Sequence, residues 1–80
     1  MSSEPLVDRV RQIVSATFEV PLDEISPQAS YDTVEKWDSM GHLMLILEVE
    51  QEFKIQFAPE QAERMTSVPG IVGVLQNARI

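Results

Sequence analysis

Between positions 5 and 18 the apolar residues Leu6, Val7, Val10, Ile13, Val14 and Phe18 recur at steps of three and four. That spacing draws one continuous stripe down a helix, whereas a half-buried strand would alternate at every second residue. Asp8, Arg9, Arg11 and Gln12 fall on the opposite side. An amphipathic helix is therefore predicted over 5–18, with Ser3 as its N-cap and Pro5 in the first turn, where the missing N–H has no helical acceptor to lose. Pro21 ends it. A stripe of this kind needs partners, and the rest of the chain must supply them.

Three further helical segments do so. Residues 39–53 form a second long helix, beginning at Asp38-Ser39 and followed by Lys54, Ile55, Gln56 and Phe57, which alternate as a short extended piece. Pro59 opens a short helical turn reaching about Met65. Thr66 or Ser67 then caps a last helix to about Ala78, with Pro69 in its first turn and Ile71, Val72, Leu75 and Ala78 as its buried stripe. Gly70 and Gly73 weaken that helix slightly. Residues 19–37, with Pro21, Pro27 and scattered Asp, Ser and Thr, read as a long loop that Leu22, Ile25, Ala29, Tyr31 and Val34 anchor against the core. The expected fold is all-α, one domain over 1–80. Its core is predicted from Leu6, Val10, Ile13, Val14 and Phe18, then Leu45, Ile46, Val49 and Phe53, then Ile71, Val72 and Leu75.

Eighty residues bury only about 60% of the surface the unfolded chain exposes, which leaves little room for an enclosed substrate cleft. Thirteen acidic residues against six basic ones give a formal charge of −7. Nucleic acid and anionic membrane surfaces are therefore poor partners, and a basic patch on another protein is a good one. Without Cys the chain has no disulfide, no thiolate metal site and no cysteine nucleophile, so thiol chemistry would need an added group. The first twenty residues lack the basic start and apolar centre of a secretory signal, and no apolar run approaches membrane-spanning length. A cytoplasmic monomer is expected.

The one group that looks built for chemistry is the Ser39 hydroxyl. At the start of a helix it lies among backbone N–H groups without helical acceptors and at the positive end of the macrodipole, which suits a phosphate ester. Judged on these residues alone, plain capping by Asp38 or Ser39 is the commoner outcome. The helix that follows is unusually apolar. Leu45, Ile46, Val49 and Phe53 fall on one face, and Met40, Leu43, Met44 and Leu47 gather nearly opposite. A chain with so few helices has little to cover both, so the second stripe either packs under the long loop or stays exposed as a binding ridge. Glu48, Glu50 and Asp38 would edge that ridge with negative charge, which tunes encounter rate and partner choice. Its two methionines add adaptability.

Other candidates carry less. His42 stands three residues after Ser39, close enough for the side chains to meet, but a triad would still lack an orienting acid and an oxyanion hole; no catalytic residue is assigned. Gly41 either admits a close approach to Ser39 or is incidental. Trp37 is a binding anchor or, preferably, a lid on the core. Asp32, Glu35 and Asp38 lack the glycine and closing glutamate of a calcium loop, so no metal site is assigned.

Asp38-Ser39-Met40, the apolar helix running into Glu50-Gln51-Glu52-Phe53, then Phe57-Ala58-Pro59-Glu60-Gln61-Ala62-Glu63 and Thr66-Ser67-Val68 together resemble the acyl carrier proteins and their peptidyl, D-alanyl and aminoacyl relatives. The likeness covers nearly the whole chain. It implies a four-helix bundle with a long first loop and a short third helix, whose Ser39 receives 4′-phosphopantetheine from coenzyme A through a phosphopantetheinyl transferase. A non-catalytic carrier follows, holding an acyl or aminoacyl group as a thioester for an activating ligase and downstream synthases or transferases. Fatty acid or secondary-metabolite biosynthesis would be the setting. By the same resemblance Asp38 helps the transferase place its metal and coenzyme A, and Leu43, Leu47, Glu48 and Glu50 match partner-binding positions. Trp37, Met40-Gly41-His42 and Glu35-Lys36 depart from the common pattern and look more like specialised stand-alone carriers, including the D-alanyl type. An unmodified helical adaptor using the same ridge is the alternative, and a very small Ser39–His42 hydrolase a third.

Overall fold

A computed structural model describes residues 4–78, so the expected Ser3 cap lies outside the described residues. Helix α1 spans Glu4–Phe18, α2 Ser39–Phe53, α3 Pro59–Arg64 and α4 Val68–Ala78, with a 3-10 turn at Leu22–Glu24 in the long first loop. The described residues are all-α, as the periodicity requires. None of their helices is long and apolar enough to cross a membrane.

Each helix end has a local cause. At the close of α1, Glu19 adopts the left-handed conformation, with φ 56°. The turn is then held by Ser15, whose hydroxyl donates to the Val20 carbonyl at 2.6 Å while its own carbonyl accepts the Val20 amide at 3.1 Å. Helix α2 ends similarly at Lys54, φ 59°, whose N–H reaches the Glu50 carbonyl. Pro59 opens α3, and the Ala58 amide is satisfied by Oε1 of Gln61 at 2.8 Å. The choice between Thr66 and Ser67 is settled by Ser67, whose Oγ accepts the Gly70 amide at 2.9 Å.

Helix α1 packs against both α2 and α4, and α3 against α4. Leu6, Val10, Val14 and Phe18 meet Leu45, Ile46 and Val49 and the α4 residues Val68, Ile71, Val72, Val74 and Leu75 in one buried cluster. Each such side chain, fully buried, contributes about 1.5–3 kcal/mol. At the rim Arg9 pairs with Glu52 and its guanidinium lies 5.1 Å from the Phe53 ring centroid, tying α1 to the end of α2. Phe53 and Ile13, expected in the core, are half-buried at its edge. Ala78 is exposed rather than buried, because the stripe turns outward in the last turn. Met65, Val68 and Val74 lie outside the predicted stripes and are buried as well.

The long loop is part of the core. Ile25, Ala29 and Val34 are buried, as their spacing suggests, and Trp37 is buried with them, but Leu22 and Tyr31 stay exposed. Arg11 fastens the start of the loop, donating through Nε to the Ile25 carbonyl at 2.6 Å and through Nη2 to that of Leu22 at 3.1 Å. Its middle is pinned beside α4: Tyr31 N–H donates to Thr66 O at 3.0 Å and Val68 N–H to Ala29 O at 2.8 Å, around an isolated antiparallel bridge between Ser30 and Ser67. These bonds fix where the loop hands over to α2.

Candidate functional site

The handover sets the position of Ser39. Asp38, extended at φ −104° and ψ −166°, is the N-cap of α2; its Oδ1 accepts the Gly41 amide at 2.9 Å and its carbonyl the His42 amide at 2.7 Å. Capping is therefore done by Asp38. The Ser39 side chain is released from that duty and is exposed as the first helical residue. The amides of Ser39 and Met40 have no intrahelical carbonyl to donate to, so the hydroxyl stands at the positive end of the helix dipole with open solvent before it. That is room and polarity for a phosphodiester on this oxygen.

Gly41 has a steric reason to be glycine. A Cβ there would collide with the Lys36 carbonyl oxygen, come within 2.7 Å of Phe18 Cε1 and lie 3.3 Å from Asp38 Oδ1. It lets the loop backbone press against the first turn of α2, so it shapes the ledge on which Ser39 sits.

Trp37 is buried, with 1% of its surface accessible, and its ring centroid lies 5.8 Å from that of Phe18. It is the lid on the core. Its indole N–H donates to Nδ1 of His42 at 3.0 Å, and Nε2 of His42 lies 3.0 Å from the Ala62 carbonyl oxygen. Since an indole nitrogen only donates, Nδ1 must accept and Nε2 must carry the hydrogen that goes to Ala62. The imidazole thus has no lone pair left for Ser39. A general-base role for His42 is incompatible with this geometry, and the residue instead stitches the loop, α2 and α3 together.

Of the two stripes on α2, Leu45, Ile46 and Val49 are buried, while Met40, Leu43, Met44 and Leu47 are 73%, 63%, 55% and 57% exposed. The second stripe does not pack under the loop. It is an apolar ridge starting one residue beyond Ser39 on the same helix. Glu48 is exposed and shares a groove with Arg9 and Glu52 on the α1 side. Glu50 is half-buried beside Leu47, with Oε2 accepting the Phe57 amide at 2.9 Å, so part of its carboxylate serves the turn after α2. Asp32, Glu35 and Asp38 are each exposed along the loop, and among the described residues no three His, Asp or Glu side chains gather as a metal cage.

Beside Ser39 runs an open groove of about 190 Å³ lined by Tyr31, Trp37, Asp38, Ser39, His42 and Thr66. Tyr31 and Thr66 were not anticipated here. Only the bond between them that pins the loop to the start of α4 brings them to the site, and no local sequence signal reports it.

The chain is matched over residues 8–75 by a family model described as the phosphopantetheine attachment site. Among curated proteins it is similar to an acyl carrier protein of Cyanidioschyzon merolae, at 30% identity over 99% of this chain and 88% of that one. It is also similar to an acyl carrier protein of Thermosynechococcus vestitus, at 26% identity over 96% of this chain and 95% of the relative.

Proposed function

Because the chain belongs to the acyl carrier protein family, whose members hold a covalently attached 4′-phosphopantetheine, we propose that Oγ of Ser39 is the atom that carries it. The protein is a carrier, and the unmodified adaptor is not favoured. The observation behind the assignment is the division of labour at the start of α2: Asp38 does the capping and Ser39 is left exposed and unengaged as the first helical residue.

When bound, the prosthetic group supplies the thiol that the polypeptide lacks, and cargo is held on it as a thioester. The chain's own residues prepare the place. In the loading step the Ser39 hydroxyl loses its proton and forms a bond to phosphorus, as coenzyme A releases its adenosine bisphosphate portion. Asp38 holds the first turn rigid through Gly41, and its exposed carboxylate faces the incoming transferase. Gly41 and the stitch through Trp37, His42 and Ala62 keep the Ser39 ledge in one position. Members of this family are carriers rather than catalysts, and the engagement of both His42 nitrogens fits that role.

The client surface is the ridge of Met40, Leu43, Met44 and Leu47, with Glu48 and Glu50 on its flanks. A phosphopantetheinyl transferase, an acyl- or aminoacyl-activating ligase and later synthases or transferases would dock there in turn, each with an apolar groove and a basic rim. At a net charge of −7, docking is steered by charge and weakens with added salt.

Incubation with coenzyme A and a broad-specificity transferase, followed by intact-mass measurement, tests the assignment. Wild type should gain the mass of one phosphopantetheine and Ser39→Ala none. Equal gain by the variant would place the attachment elsewhere.

A further inference from the structure

The space beneath Ser39 is filled, and this bears on what the carrier can hold. Two side chains that line the groove beside Ser39 also belong to the packed scaffold. One is Trp37 of the loop, fully buried against Phe18. The other is His42, which donates to the Ala62 carbonyl of α3 while accepting from Trp37. Val34, Leu45 and Met65 are buried in the same cluster as Trp37. The groove is shallow, about 190 Å³, and its rim carries the Tyr31 side chain, 57% exposed, and the half-buried Thr66.

Resting on the reading of Ser39 as the attachment site, we infer that this carrier keeps its cargo outside the bundle and is built for small acyl or aminoacyl groups rather than long alkyl chains. A long chain entering the core would have to break both bonds of the stitch and strand the indole N–H in an apolar interior, which is a costly arrangement for a buried donor. A small group needs no such opening. It can rest in the groove against the Tyr31 ring and the Thr66 side chain, with its polar atoms in water.

The protein with Ser39 unmodified, loaded by a phosphopantetheinyl transferase, tests this. Acetyl- and octanoyl-phosphopantetheine are transferred separately to Ser39 from the corresponding acyl-coenzyme A, and intact mass confirms that each is in place. Failure at that stage would count against Ser39 as the attachment site and would be seen before any cargo measurement. For the loaded forms, three properties are compared: the thermal midpoint, the emission of Trp37, the only tryptophan, and the rate at which hydroxylamine cleaves the thioester. The two forms should melt together, emit alike and be cleaved at rates within about twofold of one another, because burial of a chain is what would add stability and protection. A higher midpoint, an altered Trp37 emission or slower cleavage beyond that margin in the octanoyl form would show the chain inside the bundle and overturn the inference.

Discussion

The indole N–H of Trp37 donates to Nδ1 of His42, and this single bond decides which imidazole nitrogen carries the hydrogen that reaches Ala62. A residue placed three positions after the reactive serine is thereby committed to holding the scaffold. His42→Ala removes both bonds and leaves the buried indole N–H without a partner. A loss of about 1–3 kcal/mol is expected, read as a lower thermal midpoint and a shift in Trp37 emission, with loading at Ser39 retained. Unchanged stability would contradict the stitch, and abolished loading in a folded variant would revive a direct role for His42.

Glycine replacements should separate by position. Gly41→Ala drives a methyl group into the Lys36 carbonyl and the Phe18 ring, so a cost of about 1–3 kcal/mol and slower loading of the displaced Ser39 are expected. Gly73→Ala meets nothing within 4 Å in the middle of α4 and should stabilise by about 0.5–1 kcal/mol through helix propensity. Urea denaturation of both variants measures the contrast, and similar effects of the two would contradict it.

The two faces of α2 should respond oppositely to substitution. Leu47 is 57% exposed, so Leu47→Asp should stay within about 0.5 kcal/mol of wild type while weakening client docking. Leu45 is fully buried, and Leu45→Ala should cost about 2–5 kcal/mol. Circular dichroism melts paired with a binding assay against the transferase distinguish them. Loss of folding in Leu47→Asp would show that the ridge is core.

The cap is expected to matter for stability more than for chemistry in the isolated protein. Asp38→Ala leaves the Gly41 amide without its acceptor at the start of α2 and should cost about 0.5–2 kcal/mol. Asp38→Asn, which can still accept that bond, should recover most of the loss in a thermal melt. If only the aspartate sufficed, the negative charge rather than the cap would be what holds the turn.

Periodicity carried most of the fold. The stripes of α1 and α2 identified nearly every buried residue on those helices, since steps of three and four are a direct record of a helix with one buried side. The same arithmetic placed Met40, Leu43, Met44 and Leu47 together, and their exposure follows from there being nothing among the described residues across from them to pack against. What spacing could not show was made by long-range contacts. Tyr31 read as a core anchor but lies exposed at the groove, because the backbone bonds from the loop to Thr66 and Val68 turn its side chain outward. Ala62 entered the site only as a carbonyl, which no side-chain pattern reports. Gly41 read more naturally as incidental, because the clash that excludes a side chain comes from Lys36 and Phe18 across the loop. Asp38 and Ser39 were equally good caps by residue type; the extended backbone at Asp38 divides the roles.

The most direct measurement is the location of the modification itself. Holo protein made with coenzyme A and a phosphopantetheinyl transferase is digested, and the modified peptide is fragmented in a mass spectrometer. The whole of the added mass is expected on Ser39, within the peptide that contains Trp37 and His42. Its appearance on any other residue, or its absence from protein that is folded and offered an active transferase, would contradict the account.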